Sequence, residues 1–284
     1  MARLALMRGA LRVLSVLSPV LAAHIAARFW FRIPKPRIKE ATREFLATGT
    51  RFEVIVAGRP IAAWRWGSGP TVVLVHGWGG FGGQLQGFVE PLVTSGHAVI
   101  AFDAPSHGFS AGGQLGPSHA TLFEFADALV EVASGAGDIA AVIAHSGGCA
   151  AVGWAMWKHP TLRPERLVFL APFGKPLRYM GLFQSTLGLS DGVMERFRAS
   201  TEKQFDFRWE QLDVPSMAAQ MPTPPLLVIH DREDRETSWQ DGVEIADAWP
   251  QAETMWTTGL GHVRLLRDPG VIERVCQFIQ TRPG

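Results

Sequence analysis

Short, uninterrupted apolar runs recur along the chain from residue 71 onward, bounded by glycine, proline or polar residues. Such runs are typical of strands buried on both faces of a parallel sheet. We predict buried strands at residues 71–75, 98–102, 139–144, 167–170 and 225–229. Residues 84–94 and 120–132 lie between them and have apolar positions at helical spacing. This alternation predicts an α/β fold, with a mostly parallel twisted sheet and helices on both faces.

Three further segments extend the predicted sheet to about eight strands. Residues 51–57 and 61–66 alternate between polar and apolar side chains, and Gly58-Arg59-Pro60 between them is a turn sequence. We therefore predict an antiparallel hairpin at a sheet edge. Residues 253–257 form the last predicted strand, and residues 271–280 form a C-terminal helix.

The alternation of strands and helices stops between Pro172 and Pro224. This stretch is too apolar for a solvated loop, since it contains Met180, Phe183, Leu187, Met194, Phe197, Phe205, Phe207, Trp209 and Met217. We predict a helical cap insertion over residues 173–222 that lines an apolar substrate pocket. Residues 49–172 and 223–284 would then form the α/β core.

Residues 1–48 form a separate predicted segment. A basic start with Arg3, Arg8 and Arg12 precedes an uncharged run over residues 13–27, which is shorter than the roughly 20 apolar residues of a spanning helix. We predict amphipathic helices broken near Pro19, a basic linker over residues 34–39, and a short helix over residues 40–47. A signal peptide is an alternative, although the region lacks an Ala-x-Ala cleavage spacing. We expect a cytoplasmic protein, with weak contact of these helices with a membrane surface as an alternative.

Composition narrows the class of protein. The 284 residues are 47% hydrophobic and carry a net charge of +1, which fits a globular protein and gives no electrostatic reason to expect a nucleic-acid partner. The two cysteines, Cys149 and Cys276, provide neither a disulfide framework nor a metal-binding spacing. No cofactor is expected, and the oligomeric state stays open.

Residues 139–148 contain the strongest candidate chemistry. A buried strand leads to His145 and Ser146, and a small-residue helix follows Gly147 and Gly148. Strand, serine and helix in this order form a nucleophile elbow, in which a strained turn exposes the serine hydroxyl. Residues two before and two after the serine must be small, and Ala144 stands where glycine is usual.

Four motifs together resemble the α/β-hydrolase superfamily from about residue 50 to the C-terminus. They are His-Gly-Trp-Gly-Gly at 76–80, Ala-His-Ser-Gly-Gly at 144–148, His-Asp-Arg-Glu-Asp at 230–234 and Gly-Leu-Gly-His at 259–262. Their order is nucleophile, acid and histidine, as in that superfamily. The resemblance implies a triad of Ser146, His262 and Asp234. Asp231 is the alternative acid, because it occupies a position that is often glycine.

The resemblance also implies an oxyanion hole formed by the backbone N–H groups of Trp78 and Gly147. We interpret His76, Asp103 and His107 as braces of the strand ends. A zinc site is a weaker alternative, since His76, His107, His145 and His230 would lie near one sheet edge. Each of these histidines has a place in a motif, so no metal is expected.

The predicted activity is that of a carboxylesterase-like serine hydrolase, in the EC 3.1.1 class. Ser146 would form an acyl-enzyme with a small-molecule ester that carries a hydrophobic group. A thioesterase, an amidase or a C–C bond hydrolase would use the same triad. A non-catalytic binding module of the same fold is the alternative from a different class.

Overall fold

The computed structural model describes residues 2–35 and 37–281 of the chain, with side chains from residue 5 onward. Pro36 of the predicted linker, the side chain of Arg3 and residues 282–284 of the predicted core lie outside the described residues.

One sheet dominates the described part of the chain. Its strands are β1 (Thr50–Val56), β2 (Arg59–Trp66), β3 (Thr71–Val75), β4 (Ala98–Phe102), β5 (Ile139–His145), β6 (Arg166–Leu170), β7 (Leu226–Asp231) and β8 (Ala252–Thr257). They lie in the order β1-β2-β4-β3-β5-β6-β7-β8. The β1–β2 and β2–β4 pairs are antiparallel, and all other pairs are parallel. The predicted α/β fold, with its edge hairpin, is confirmed.

Helices follow most strands. They are α1 (Ala2–Leu17), α2 (Pro19–Trp30), α3 (Glu40–Ala47), α4 (Val89–Thr94), α5 (Leu122–Ser134), α6 (Gly147–Lys158), α7 (Pro176–Leu187), α8 (Asp191–Phe205), α9 (Val214–Ala218), α10 (Trp239–Ala248), α11 (Gly261–Arg264) and α12 (Pro269–Gln280). Among the described residues, none of these helices is both long and apolar enough to cross a bilayer.

The chain forms two compact units. One contains residues 1–32 and 175–213, and the other contains residues 33–174 and 214–284. The first two helices therefore group with the insertion rather than with the linker. The break between them falls at Pro19, as predicted, where Ser18 caps α2 and proline occupies its first turn. Inside this helical unit, the Trp30 ring contacts the rings of Phe183, Phe197 and Trp209.

The second unit contains the sheet, and its core forms because strands β3 to β7 are buried along their whole length. This α/β unit also includes α9, which the predicted boundary had assigned to the insertion. The helix packs on α6, where a Cβ added at Gly153 would contact Met217 and Val214. The Val214 N–H donates to the Gly174 carbonyl oxygen at 2.9 Å, so the insertion leaves and rejoins this unit at one point.

Two of the differences from the sequence prediction concern helices that flank the sheet. The predicted helix over residues 84–94 consists of a 3₁₀ segment, Gly82–Phe88, followed by α4. The helix α10 was not predicted. It contains Asp241 and Gly242, which are poor helix formers and are both buried.

Candidate active site

Ser146 occupies a strained turn between β5 and α6. Its φ of 52° and ψ of −123° are rare for a residue with a side chain, and its side chain is half-buried rather than enclosed. Its N–H donates to the Leu170 carbonyl oxygen at 3.0 Å, which fixes the turn to the neighbouring strand. Ala144 is completely buried, and a Cβ at Gly148 would lie 2.4 Å from the His76 carbonyl oxygen. The small residues expected around an elbow serine are therefore sterically required here.

His262 and Asp234 form a close pair in the same unit. The Nδ1–H of His262 donates to Asp234 Oδ2 at 2.7 Å, which leaves Nε2 as the ring's proton acceptor. Burial alone would raise the pKa of Asp234, but hydrogen bonds from His230 and His262, together with the His262 charge, hold it well below its usual range. The carboxylate therefore stays ionised and fixes the tautomer of His262. Glu236 is exposed, with Oε2 at 3.9 Å from His262 Nε2.

Asp231 serves a different purpose from Asp234. Its Oδ2 accepts hydrogen bonds from the Leu260 N–H at 2.9 Å and the Thr257 hydroxyl at 2.8 Å, and its Oδ1 accepts one from the Glu233 N–H at 2.9 Å. These donors overcome the effect of burial and lower the pKa of Asp231. The Asp231 carboxylate thus anchors the segment that precedes His262. Its hydrogen bonds go to that segment and not to the His262 ring.

The Gly77–Trp78 segment lies directly against the elbow. A Cβ added at Gly77 would lie 3.0 Å from Ser146 Cβ, and one added at Gly147 would lie 3.4 Å from Trp78 N. A Cβ at Gly77 would be closer to its neighbours than almost any real Cβ, whereas one at Gly147 would make an ordinary van der Waals contact. Gly147 is the first residue of α6, where a backbone N–H has no acceptor within the helix. Both backbone N–H groups predicted for the oxyanion hole therefore belong to segments in contact beside Ser146.

His145 connects the elbow to the segment that carries His262. It is buried, and its Nε2–H donates to the His262 carbonyl oxygen at 3.0 Å, while the two rings lie 4.6 Å apart. Burial, followed by the nearby His262 charge, lowers the pKa of His145 to about 3. A neutral His145 therefore ties the backbone of His262 to the residue that precedes Ser146.

The comparison with protein families agrees with these motifs. Residues 72–275 match the model of the alpha/beta hydrolase family, from β3 to α12. The chain belongs to the alpha/beta hydrolase family. This membership supports the hydrolase class that the four motifs predict.

Known relatives of this alpha/beta hydrolase include one curated sequence. Over 44 residues, or 16% of the chain, it is 52% identical to the pimeloyl-[acyl-carrier protein] methyl ester esterase of Methylococcus capsulatus. The matched stretch spans 17% of that esterase, so the likeness is local.

Solved structures resemble the alpha/beta hydrolase over most of its length. Est816, described as an N-acyl homoserine lactone degrading enzyme, has a TM-score of 0.62 at 18% identity, with 80% of this chain and 99% of that chain covered. Est1E from Butyrivibrio proteoclasticus, solved with ferulic acid, has a TM-score of 0.62 at 17% identity and coverages of 81% and 96%. A membrane phospholipase A has a TM-score of 0.62 at 19% identity and covers 98% of both chains. At these identities the likeness concerns the fold.

Two side chains around Asp234 in this alpha/beta hydrolase were not assigned a role from the sequence. The Thr237 hydroxyl lies 3.0 Å from Asp234 Oδ2, 3.1 Å from His262 Nδ1 and 3.2 Å from the Ala171 carbonyl oxygen. His230 Nε2 lies 3.2 Å from the same Oδ2. The sequence analysis considers His230 only as the start of a motif and as one of four histidines of the zinc alternative. Thr237 carries no signal, because a threonine three residues after an aspartate is common in turns.

His76 braces the Gly77–Trp78 segment of the alpha/beta hydrolase, as predicted. Its Nδ1–H donates to the Gly77 carbonyl oxygen at 2.7 Å, and its Nε2 accepts from the Ala104 N–H at 3.0 Å. Burial, together with the charge of His107, lowers the pKa of His76 far below its usual value. The neutral ring therefore joins the segment after β3 to the one after β4.

Asp103 and His107 continue this bracing. Asp103 accepts from the N–H groups of Gly82 and Phe109, both at 2.6 Å, and burial raises its pKa to about 6 despite these bonds. His107 Nε2 accepts from the Gly79 N–H at 3.1 Å, and burial lowers its pKa to about 4. Both side chains position the glycine-rich segment that follows His76.

The four histidines of the zinc alternative have other contacts. His76 uses both ring nitrogens in hydrogen bonds, and so does His107, whose Nδ1–H donates to the Pro105 carbonyl oxygen at 2.8 Å. Within residues 2–35 and 37–281, no group of three or more histidine, cysteine, aspartate or glutamate side chains is arranged to hold a metal ion.

Proposed function

We propose that this alpha/beta hydrolase cleaves carboxylic esters with a hydrophobic group through an acyl-enzyme, with Ser146 as nucleophile, His262 as base and Asp234 as orienting acid. The observation that carries the proposal is the 2.7 Å hydrogen bond from His262 Nδ1 to a buried, ionised Asp234. This bond leaves Nε2 as the acceptor that a serine hydroxyl needs. The strained turn at Ser146, in the same unit, supports the nucleophile.

In this mechanism the Ser146 hydroxyl gives its proton to His262 Nε2 while its oxygen bonds to the ester carbonyl carbon. The carbonyl oxygen becomes an oxyanion that accepts hydrogen bonds from the N–H groups of Trp78 and Gly147. The C–O bond to the alcohol then breaks, and His262 returns its proton to that alcohol. A water molecule repeats the sequence on the acyl-enzyme, releasing the acid and restoring Ser146.

Several similar proteins are named for action on esters, although a thioesterase domain also has a similar fold. The local sequence relative is a methyl ester esterase, and the solved structures of similar fold include another esterase and a phospholipase A.

The test is hydrolysis of p-nitrophenyl esters from acetate to palmitate by the wild type, Ser146→Ala and Ser134→Ala. Ser134 is an exposed serine at the end of α5 and serves as the matched control. We expect Ser146→Ala to lose at least about 10³-fold in kcat, and Ser134→Ala to keep the wild-type rate. A fluorophosphonate should label the wild type and the control alone.

Two results would count against the proposal. Equal ester turnover by Ser146→Ala and the wild type would remove Ser146 from the mechanism. Faster turnover of thioesters or anilides than of esters with the same acyl group, measured as kcat/KM, would replace the ester with that other bond.

A further inference from the structure

Exposed apolar side chains are concentrated in the helical unit. Eleven large hydrophobic side chains are exposed in the described part of the chain, and eight of them lie in this unit, although it contains about a quarter of the residues. They are Leu6, Val13, Val16, Leu17, Val20, Leu21, Leu177 and Leu182. Isolated surface leucines are ordinary, but a concentration of this size is typical of an interaction surface.

The first helix is apolar on two opposite sides. Leu11 is only 4% exposed and marks the side of α1 that packs inside the unit. Leu6, Val13, Val16 and Leu17 fall within a sector of roughly 100° on the opposite side, and the last two are 83% and 77% exposed. A helix with apolar side chains on two opposite sides is typical of a place where the second side is also buried against a partner or a lipid surface.

The turn between α1 and α2 extends this surface. Val20 is 71% exposed at the start of α2, while Ala22, Ala23 and Ala26 of the same helix are buried. The exposed residues from Leu6 to Leu21 therefore form one apolar face that crosses the Pro19 break, and we call it the N-terminal apolar face. The unit holds this face in place through a hydrogen bond from Arg8 to the Ser185 carbonyl oxygen at 2.9 Å.

Charge indicates what covers the N-terminal apolar face. Residues 1–39 carry eight of the 27 lysines and arginines and none of the 26 aspartates and glutamates. The remaining residues have 19 basic and 26 acidic side chains, so the positive charge is concentrated in the segment that includes this face. Arg12 and Arg28 are both exposed. An apolar face beside exposed arginines, in a segment without acidic residues, is the composition that binds anionic lipid surfaces.

A second copy of the chain is a poorer occupant. A two-fold pairing through this face would bring the same arginine-rich segments together, and residues 1–39 of either copy contain no acidic side chain. Because α1 and α2 are 16 and 12 residues long, neither fits the requirement for a bilayer span. We propose that the N-terminal apolar face lies in the plane of an anionic lipid surface, with its hydrophobic side chains among the acyl chains.

The test is sedimentation of the full chain with vesicles of phosphatidylcholine alone, or with about 30% phosphatidylglycerol. We expect binding to the anionic vesicles that falls when salt rises to about 0.5 M. The variant Val13→Glu/Leu17→Glu should lower the partition coefficient at least about tenfold. Ile55→Glu is the matched control, since Ile55 is 60% exposed on β1 in the other unit, and it should bind like the wild type.

Several results would overturn the proposal: no binding by the wild type, equal binding to both kinds of vesicle, or equal loss in the Ile55→Glu control. A dimer that the double variant breaks, seen by light scattering without vesicle binding, would assign the face to a second copy. Circular dichroism and turnover of a soluble ester show that the variants fold. Vesicle binding is measured without turnover, so failure of the proposed ester hydrolysis leaves this result unaffected.

Discussion

Two aspartates three residues apart illustrate how position decides chemistry at the scale of single residues. Asp234 accepts hydrogen bonds from two histidine rings, and Asp231 accepts only from backbone N–H groups and a threonine hydroxyl. The sequence favoured Asp234 through the spacing of a family motif, but it left Asp231 as an alternative. Of these two aspartates, Asp234 is the one that is hydrogen-bonded to the His262 ring.

The two acids are separated by comparing Asp234→Asn with Asp231→Asn. We expect Asp234→Asn to lower kcat by at least about 10²-fold, because an amide no longer holds the neutral-ring tautomer or stabilises the imidazolium. Asp231→Asn should keep most of kcat but lower the free energy of unfolding by about 1–3 kcal/mol, because its hydrogen-bond donors lose a charged acceptor. Steady-state kinetics and urea unfolding of both variants test this. A larger loss of kcat in Asp231→Asn would reverse the assignment.

Other residue contacts lay beyond prediction from the sequence. Thr237 contacts Asp234, His262 and Ala171, which come from three separate segments of the chain. Only the folded chain brings these together. His145 was read as part of the elbow, yet its hydrogen bond to His262 joins residues 117 positions apart.

At the scale of elements, the contact between α6 and β3 depends on one missing side chain. A Cβ at Gly148 would lie 2.4 Å from the His76 carbonyl oxygen and 3.0 Å from that of Val75. Both oxygens belong to backbone, which cannot rotate away. The elbow motif therefore requires a small residue at this position because the helix and the strand lie so close together.

Gly148→Ala should destabilise the protein by about 2–3 kcal/mol, because the helix must move away from the strand. Ester turnover should fall as well, since α6 begins at the elbow. Gly181→Ala is the matched control, because Gly181 lies within α7 and a Cβ there meets nothing within 4 Å. The control should be stabilised by up to about 1 kcal/mol. Thermal unfolding of both variants checks this, and equal stability of the two would contradict the steric explanation.

The elements were predicted where the local pattern was unambiguous. Fully buried strands such as β3 and β4 match the predicted residues, because an apolar run bounded by turns has one good solution in an α/β protein. The helix α10 was missed for a physical reason. Asp241 is buried there because its Oδ2 accepts from the Gly174 N–H at 2.9 Å, and Gly242 leaves room for His230. Contacts with residues distant in the sequence therefore require an aspartate and a glycine at these two positions, although both are poor helix formers.

At the scale of the whole molecule, buried histidines make stability depend on pH. His107 and His145 have pKa values lowered to about 4 and about 3, while an unfolded histidine titrates near 6.5. The unfolded chain therefore binds more protons than the folded chain below about pH 6.5, so stability falls on acidification. Asp103, with its pKa raised to about 6, opposes this trend between about pH 6 and 4. One carboxyl offsets only part of the effect of two histidines.

The free energy of unfolding should therefore decrease as the pH falls from about 6.5 to 4, with His107 alone contributing on the order of 3 kcal/mol. Urea unfolding at several pH values measures the slope. His107→Asn should make the slope shallower, because that side chain cannot take up a proton. A wild-type stability that rises on acidification over this range would contradict the prediction.

The division of the chain into two units could not be foreseen from local patterns. The sequence predicted both the N-terminal helices and an apolar insertion, but nothing in either pattern pairs Trp30 with Phe183, Phe197 and Trp209. These aromatic residues meet only after the chain has passed through residues 33–174, which separate them in the sequence.

That pairing has a consequence for biosynthesis. The helices α1 and α2 leave the ribosome before their partners in the insertion, which begin roughly 140 residues later. At about 5–20 residues per second, the ring of Trp30 waits on the order of ten seconds before Phe183 and Trp209 are translated. Throughout that interval the apolar surfaces of the nascent helices are exposed to chaperones, to other nascent chains and to any nearby bilayer. The order in which the chain is made therefore leaves this apolar segment without its packing partners until the insertion is translated.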